Sequence, residues 1–509
     1  MVKVVVKWTK EKYDVDVDPS ESVLEFKSKL YSLSHVPTDR QKIMGFKGGI
    51  LKDDASWKDL DLVEGKVLMM VGSAEELPQP KQKITFVEDL PQQQADALIH
   101  NMPSGLYNLG NTCYLNATLQ CMKACPELMS IIKKYKPTGT QYSALVKASQ
   151  GIFNELSKTT GEPVGSSTFL NLFRALFPQF GEIKEGAYMQ QDADEAWSQL
   201  LSAYANEFPI NANDKSTNPT QAVEKSFIGK LFGIGVTDTY QCKENPSEES
   251  TSRSETLLKL PCNIGTETSY LFEGIKRGLE EDITKKSPSL NKEAVYTKKT
   301  TLNHLPPYLM VQFVRFNWKQ GVKKPNDQGG VTGVKTKIIR QVQFPFTLDI
   351  FDFCSQDLKD NLSIGRKRLD DEFNASLERK RKTFDGQEQG GKQKKETKEE
   401  EIFDITADED ASKNSTGKFE LKAVLTHQGR FADSGHYVAW VKKDDNKWLK
   451  FDDTTVYEVN DEEIKKLQGG GEWHMAYMCL YKAIKAPEED KSSSTPMDTS
   501  TTTTTTTNQ

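Results

Sequence analysis

The hydrophobic period of this chain changes once along its length, and that change restricts the fold more than any other feature. From Cys113 onward, apolar residues recur at helical spacing. Leu115, Leu119 and Met122 form one stripe; Leu145, Ile152, Phe153 and Leu156 form the next. Phe169, Leu170, Phe173 and Leu176 follow, then Ala196, Leu200, Leu201 and Tyr204. From about residue 227 the spacing becomes that of strands, through 231–240, 308–316, 344–351, 419–426, 437–442 and 448–451. Helices first and strands later in one long stretch predict an α+β domain with a mostly antiparallel sheet.

A smaller domain precedes it, over 1–73. Val2, Val4, Val6 and Trp8 alternate with Lys3 and Lys7, although Val5 breaks the rule, and Tyr13, Val15 and Val17 alternate with Asp14 and Asp16. The two runs predict a hairpin around residues 9–12. Ser22 and Glu25 have capping-box spacing, with Val23, Phe26 and Leu30 as one helical stripe behind them. Pro37 and Gly48-Gly49 punctuate short strands near Ile43 and 67–71. Hairpin, helix, then short strands is the order of a β-grasp fold. Residues 74–100 read as a linker and 486–509, ending in a threonine run, as a disordered tail. Residues 356–416 alternate basic and acidic clusters with little apolar content, so they are expected to be a disordered or partly helical insertion.

Composition narrows the function classes. Lys+Arg 67 against Asp+Glu 73 leaves a net charge of -6, so no global field favours nucleic acid or an anionic membrane. No apolar run approaches the roughly 20 residues of a membrane span. The N-terminus alternates like a strand, unlike a signal peptide. Seven scattered cysteines are no disulfide framework. They point to a reducing compartment, cytosol or nucleus.

Chemistry concentrates in two places. In Gly105-Leu-Tyr-Asn108-Leu-Gly-Asn-Thr-Cys113-Tyr-Leu-Asn116, a glycine- and asparagine-rich loop delivers Cys113 to the first turn of a helix. Partial positive charge and free N–H groups there favour a thiolate. A small buried hydrophobe is the competing reading of a lone cysteine. A nucleophile also needs a base and a group to orient it. Of six histidines, His436 stands in an accessible setting, beside Gly435 at the mouth of a strand. His35 and His100 belong to the small domain and the linker, and His304, His427 and His474 read as structural. The next strand ends in Asp452-Asp453. If the two strands are hairpin neighbours, Asp452 reaches the imidazole from beside it.

These boxes resemble those of the ubiquitin-specific protease family. Its cysteine box reads Gly-Leu-X-Asn-X-Gly-Asn-Thr-Cys-Tyr-X-Asn, and its histidine box Gly-His-Tyr-X-X-Trp, closed by Asp on the following strand. The match spans about 101–485. It implies a papain-like domain of thumb, palm and fingers, and a deubiquitinating thiol protease. It also implies roles: Cys113 as nucleophile, His436 as base, Asp452 as its orienter, Asn108 as an oxyanion donor. The segment 188–195 is similar to the one that receives the ubiquitin tail, so Gln190, Asp192 and Glu195, with Tyr437 from the histidine box, are implied substrate contacts. Asp192 equally fits a plain helix N-cap. Stretches 317–333 and 427–435, with Trp318, Gln428 and Ser434, correspond to loops covering the tail cleft. Many family members hold zinc through Cys-X-X-Cys pairs. Cys242 and Cys262 stand alone here, so no metal and no other cofactor is expected. The stretches 17–27 and 36–42 resemble ubiquitin itself. A ubiquitin-like domain ahead of this protease is similar to the proteasome-associated branch of the family. That implies docking on the regulatory particle of the 26S proteasome, with ubiquitinated proteins as substrates. A non-catalytic ubiquitin-binding regulator, and a protease for another ubiquitin-like modifier, remain as alternatives.

Overall fold

The structure is a computed structural model. It describes residues 2–72 (without 10, 20–21, 35, 37, 47–48, 53–54 and 58–59), 102–211 (without 159), 218–319, 334–384, 414–430 and 434–487. The predicted linker and tail therefore fall almost wholly outside the described residues, as do His35 and His100. The chain divides into two units, Met1–Ala95 and Asp96–Gln509.

In the first unit five strands lie in the spatial order Glu11–Val17, Val2–Trp8, Lys66–Val71, Lys42–Phe46, Gly49–Ile50. Val2–Trp8 and Lys66–Val71 run parallel at the centre, and the other pairs are antiparallel. The helix Val23–Ser34 lays Val23, Phe26 and Leu30 on Val4, Val6, Leu68 and Met70. Glu25 accepts from the Ser22 backbone at 2.7 Å while Ser22 Oγ accepts from Glu25 N at 3.2 Å, which closes the capping box.

In the second unit the helical half comprises Cys113–Lys123, Pro126–Lys133, Ser143–Leu156, Ser167–Leu176 and Ala193–Glu207. It packs on one face of an eight-stranded sheet. The spatial order is Leu260–Asn263, Tyr308–Val314, Met475–Ala483, Lys418–Gln428, His436–Asp444, Lys447–Asp452, Thr455–Val459, and Thr347–Asp349 pairs onto Lys418–Gln428. Only Leu260–Asn263 is parallel to its neighbour. The central strands are buried on both faces. Tyr437 and Ala439 point to the helices, and Val438 and Trp440 to a second core with Trp448, Leu309 and Val311. Strands with two buried faces read as continuous apolar runs, and so they were legible.

A second sheet, Glu280–Lys286, Glu293–His304, Ile234–Cys242 and Thr251–Leu257, is wholly antiparallel. Three of these strands escape the sequence reading because polar residues dominate them, as in Thr-Ser-Arg-Ser-Glu-Thr-Leu257, although Glu293–His304 buries Ala294, Tyr296 and Leu302. The stretch 231–240 is also corrected: a helix, Phe227–Phe232, precedes the strand that starts at Ile234.

Of the insertion expected to be disordered or partly helical, the first half forms one helix, Gln356–Phe384. Its N-terminal end is anchored. Leu362 is buried, Gly365 sits where a Cβ would meet Ser415 O at 2.0 Å, and Arg366 bonds both oxygens of Asp349, at 2.9 and 2.7 Å. A bidentate pair and one buried leucine give tertiary support that composition does not display. Residues 385–413 lie outside the described residues.

Candidate active site

The Cys113 helix begins where it does because the loop before it caps itself. Gly110 and Asn111 both have left-handed φ, 95° and 52°. Asn108 Oδ1 accepts from Gly110 N at 3.1 Å and Thr112 N at 3.2 Å, and Thr112 Oγ1 accepts from Leu109 N at 2.9 Å. Thr112 therefore makes no side-chain bond to the helix it precedes. Every residue from Cys113 to Met122 is buried, so the helix is a core element packed chiefly on the His436 strand.

Three separate stretches meet at the start of this helix. His436 opens one strand and Asp452 ends its antiparallel neighbour, so the hairpin geometry expected from sequence exists. His436 Nε2 lies 2.6 Å from Asp452 Oδ1. Hydrogen bonds to Asp452 and then to Cys113 raise the imidazole from its usual value to about 10, against the opposing effect of burial. The same bond to His436, helped by Lys450 at 2.9 Å, holds the Asp452 carboxyl well below the usual carboxylate range. Cys113 itself is 3% exposed. His427 and His474 are buried, and His304 lies away from this cluster at the end of Glu293–His304. Burial pushes His474 down to about 4.

A second carboxylate organises the loop. Asp453, at a left-handed φ of 49°, takes Asn108 Nδ2 on Oδ2 at 2.9 Å and Asn116 Nδ2 on Oδ1 at 2.8 Å. Leu106 N donates to Asp453 O at 2.8 Å. Gly105 makes this approach possible, since a Cβ there would stand 2.4 Å from Asp453 O. The cysteine loop and the Asp452-Asp453 turn are thus one hydrogen-bonded body. The sequence marks Asp453 only as the neighbour of Asp452 and does not reveal Asn116 and Gly105 as its partners, because all of these contacts are long-range.

The remaining predicted residues divide. Gln190 is at the site: its Nε2 lies 3.5 Å from Cys113 Sγ and donates to Gly435 O at 2.8 Å. Asp192 is the N-cap of Ala193–Glu207, accepting from Asp194 N at 3.0 Å, and it also takes Tyr477 OH at 2.7 Å. Glu195 is exposed one turn on and accepts from Gln179 at 3.1 Å. Tyr437 is a correction. It is 1% exposed, packed between His427 and Tyr477 beneath the site, because strand alternation turns it inward when His436 faces outward. Gln428 ends its strand opposite His436, and Ser434 is exposed just before it. Trp318 stands in the strand Phe316–Lys319, but its side chain, residues 320–333 and residues 431–433 lie outside the described residues. No cluster of metal-ligating side chains occurs among the described residues.

The sequence profile described as ubiquitin carboxyl-terminal hydrolase matches residues 104–481. The chain belongs to this family. The hydrolase also matches the ubiquitin family over residues 2–75, which makes its first unit a ubiquitin-like domain. It is similar to ubiquitin carboxyl-terminal hydrolase 7 of Arabidopsis thaliana, with 39% identity covering 95% of this chain and 99% of the relative. Ubiquitin carboxyl-terminal hydrolase 6 of Schizosaccharomyces pombe is 36% identical over 95% of this chain and 99% of its own. Ubiquitin carboxyl-terminal hydrolase 14 of Caenorhabditis elegans is 34% identical over 97% and 96%. The hydrolase is therefore a deubiquitinating enzyme of the ubiquitin-specific class, with ubiquitin conjugates as its substrates.

Proposed function

We propose that the enzyme cleaves the isopeptide bond after the C-terminal glycine of ubiquitin with Cys113 as nucleophile, and that it does so at the proteasome. The observation that carries the chemistry is the His436–Asp452 contact at 2.6 Å, with the same imidazole hydrogen-bonded to Cys113. Asp452 occupies Nε2, which leaves Nδ1 for the thiol. Nδ1 takes the Sγ proton, and the thiolate attacks the glycine carbonyl carbon. As the C–N bond breaks, the imidazolium returns that proton to the leaving lysine amine. Water then gives a proton to His436 and attacks the thioester. The C–S bond breaks and ubiquitin leaves as a free carboxylate. Asp452 keeps the ring in one orientation and stabilises its charged form.

Asn108 serves the tetrahedral oxyanion. An amide nitrogen has two hydrogens. Asp453 holds one, so the other points in a fixed direction. Such a donor is worth about 3 kcal/mol in the transition state. Asp192 and Glu195 supply negative charge for an arginine-bearing tail.

The ubiquitin-like domain supports the proteasome half of the reading. On its outer sheet face Val67, Met69, Val71 and Ile50 are 52%, 57%, 51% and 51% exposed, beside the exposed Lys3, Lys7 and Lys42. Half-exposed apolar residues in register, rimmed by lysines, form a docking surface. Seven free cysteines suit a cytosolic or nuclear setting.

The test is hydrolysis of ubiquitin-aminomethylcoumarin by the full chain, with and without purified 26S proteasome. Wild type is expected to turn over, faster with proteasome, and Cys113→Ala to stay at background. Turnover by Cys113→Ala would overturn the nucleophile assignment, and failure to bind proteasome would remove the second half.

A further inference from the structure

Lys337 ends the short strand Val334–Lys337, and its ammonium points at the end of the Lys418–Gln428 strand. It lies 2.6 Å from His427 Nδ1, 3.0 Å from His427 O and 2.8 Å from Gly429 O. An ammonium has three donors and no acceptor, and here it meets three acceptors. Among the described residues no carboxylate pairs with it. Burial first, and the nearby Arg315 second, pull its amine down to about 7. An amine buried in such a place without a counter-charge is drawn towards its neutral form, and what it keeps there is its hydrogen-bond geometry.

That geometry leads to the base. His427 and Gln428 are the register partners of Tyr437 and His436. The His427 ring is fully buried, 4.6 Å from the Tyr437 ring and 5.5 Å from Phe316 between centroids. A Cβ placed on Gly435 would stand 2.2 Å from Gln428 O and 2.5 Å from His427 Nε2, so the backbone just before His436 rests on these two groups. The Gly435 carbonyl is in turn the acceptor for Gln190, which reaches Cys113. Gln428–His436 is the last pair of this ladder, and strand ends fray where no further bonds hold them. Three hydrogen bonds to His427 and Gly429 oppose that fraying.

We propose that Lys337 is a positioning residue for His436: its three hydrogen bonds lock the end of the Lys418–Gln428 strand, on which Gly435 and the base are seated. The proposal rests on the assignment of His436 as the base. Lys337 touches neither Cys113 nor the Asp452 carboxylate, so its effect passes through the strand end at His427 and Gly429.

The experiment uses the full chain, wild type against Lys337→Met, Lys337→Gln and Lys337→Arg, with circular dichroism to verify folding. Two readouts are taken: kcat and KM on ubiquitin-aminomethylcoumarin, and the pH profile of Cys113 alkylation by iodoacetamide, with Cys113→Ala as the blank. Lys337→Met is expected to lower kcat on the order of tenfold, since small misplacements of a catalytic group cost that much or more. KM should change by less than about twofold, the pattern of a transition-state loss. Its alkylation profile should shift, because the thiolate depends on a well-placed imidazole. Lys337→Gln, which keeps two donors, should fall between. A folded Lys337→Met protein with wild-type kcat and profile would overturn the proposal. So would unfolding of all three variants, which would make Lys337 a purely structural residue. If wild type alkylates normally but does not cleave the ubiquitin probe, the proposed function fails while the alkylation profiles still report on Lys337.

Discussion

Two carboxylate clusters in the catalytic unit have similar chemistry and opposite consequences. At the tip of the second sheet, Glu248 takes hydrogen bonds from Ser287, Ser289 and Tyr296, which pull its carboxyl down to about 2. Every side-chain donor is a neutral hydroxyl, and the cluster joins the loop after Ile234–Cys242 to the loop after Glu280–Lys286. At the active site Asp452 faces an imidazole and a lysine, and Asp453 faces two amides from the cysteine loop. Glu248 closes a local structure. In the proposed mechanism Asp452 and Asp453 determine where the base and the oxyanion donor stand, so their charge would be used in the reaction. The sharp expectation is that neutralising the first pair stops catalysis in a folded enzyme, whereas neutralising Glu248 loosens a folded, active one.

The largest effect belongs to Asp452→Asn. Losing the orienting carboxylate of a triad costs on the order of 10⁴ in kcat when the geometry is otherwise intact. His436, now near 10, should fall back towards the ordinary histidine value of about 6.5, read by NMR of the imidazole. The sign of the stability effect follows from both shifts. The folded value of His436 is raised, so its contribution is complete below about 6.5 and lost as pH rises through about 10. The folded value of Asp452 is depressed, so its contribution is present above about 3.9 and lost as pH falls further. The stability gap between wild type and Asp452→Asn should therefore be widest between about pH 4 and 6.5 and close on either side. A gap independent of pH would break the account of the pair.

Asp453→Ala should come next, with kcat down about tenfold to a hundredfold and KM nearly unchanged. It frees the Asn108 amide and strips an acceptor from Asn116, which is 3% exposed. Because Asn108 loses only its tether, a further Asn108→Ala change should add little to it. Full additivity of the two in steady-state kinetics would mean that Asp453 does not act through Asn108.

The contrast also explains what the sequence displayed. Cys113, His436 and Asp452 were legible because each sits in a local pattern: a helix start, a glycine-flanked strand mouth, and a strand end sixteen residues from its base. Asp453 was not legible as an organiser, since its partners stand 345 and 337 residues away. Nor was Lys337, whose acceptors are two backbone carbonyls and a buried ring nitrogen. Tyr437 shows the limit of reading a motif as a surface: a strand's period of two turns alternate residues of one motif to opposite faces. The helix Gln356–Phe384 was legible only as a stretch that could be partly helical, having little apolar periodicity and one firm anchor at its start.

The smallest effect on catalysis is expected from Glu248→Gln. The substitution keeps the shape and removes the charge that three hydroxyls point at. Ser287 is fully buried, so its hydroxyl then meets a weaker acceptor in a place water does not reach. The loops around 243–250 and 287–292 should exchange their amide hydrogens faster, while kcat/KM on ubiquitin-aminomethylcoumarin stays within about twofold, the usual range for a change remote from the reacting atoms. A loss of kcat as large as that of Asp453→Ala, with the loop amides still protected, would mean that the Glu248 charge reaches the active site. The division between a structural and a catalytic carboxylate cluster would then be wrong. Faster exchange confined to those two loops would place the whole consequence of Glu248 in local stability, where neutral hydroxyl donors remote from the reacting atoms put it.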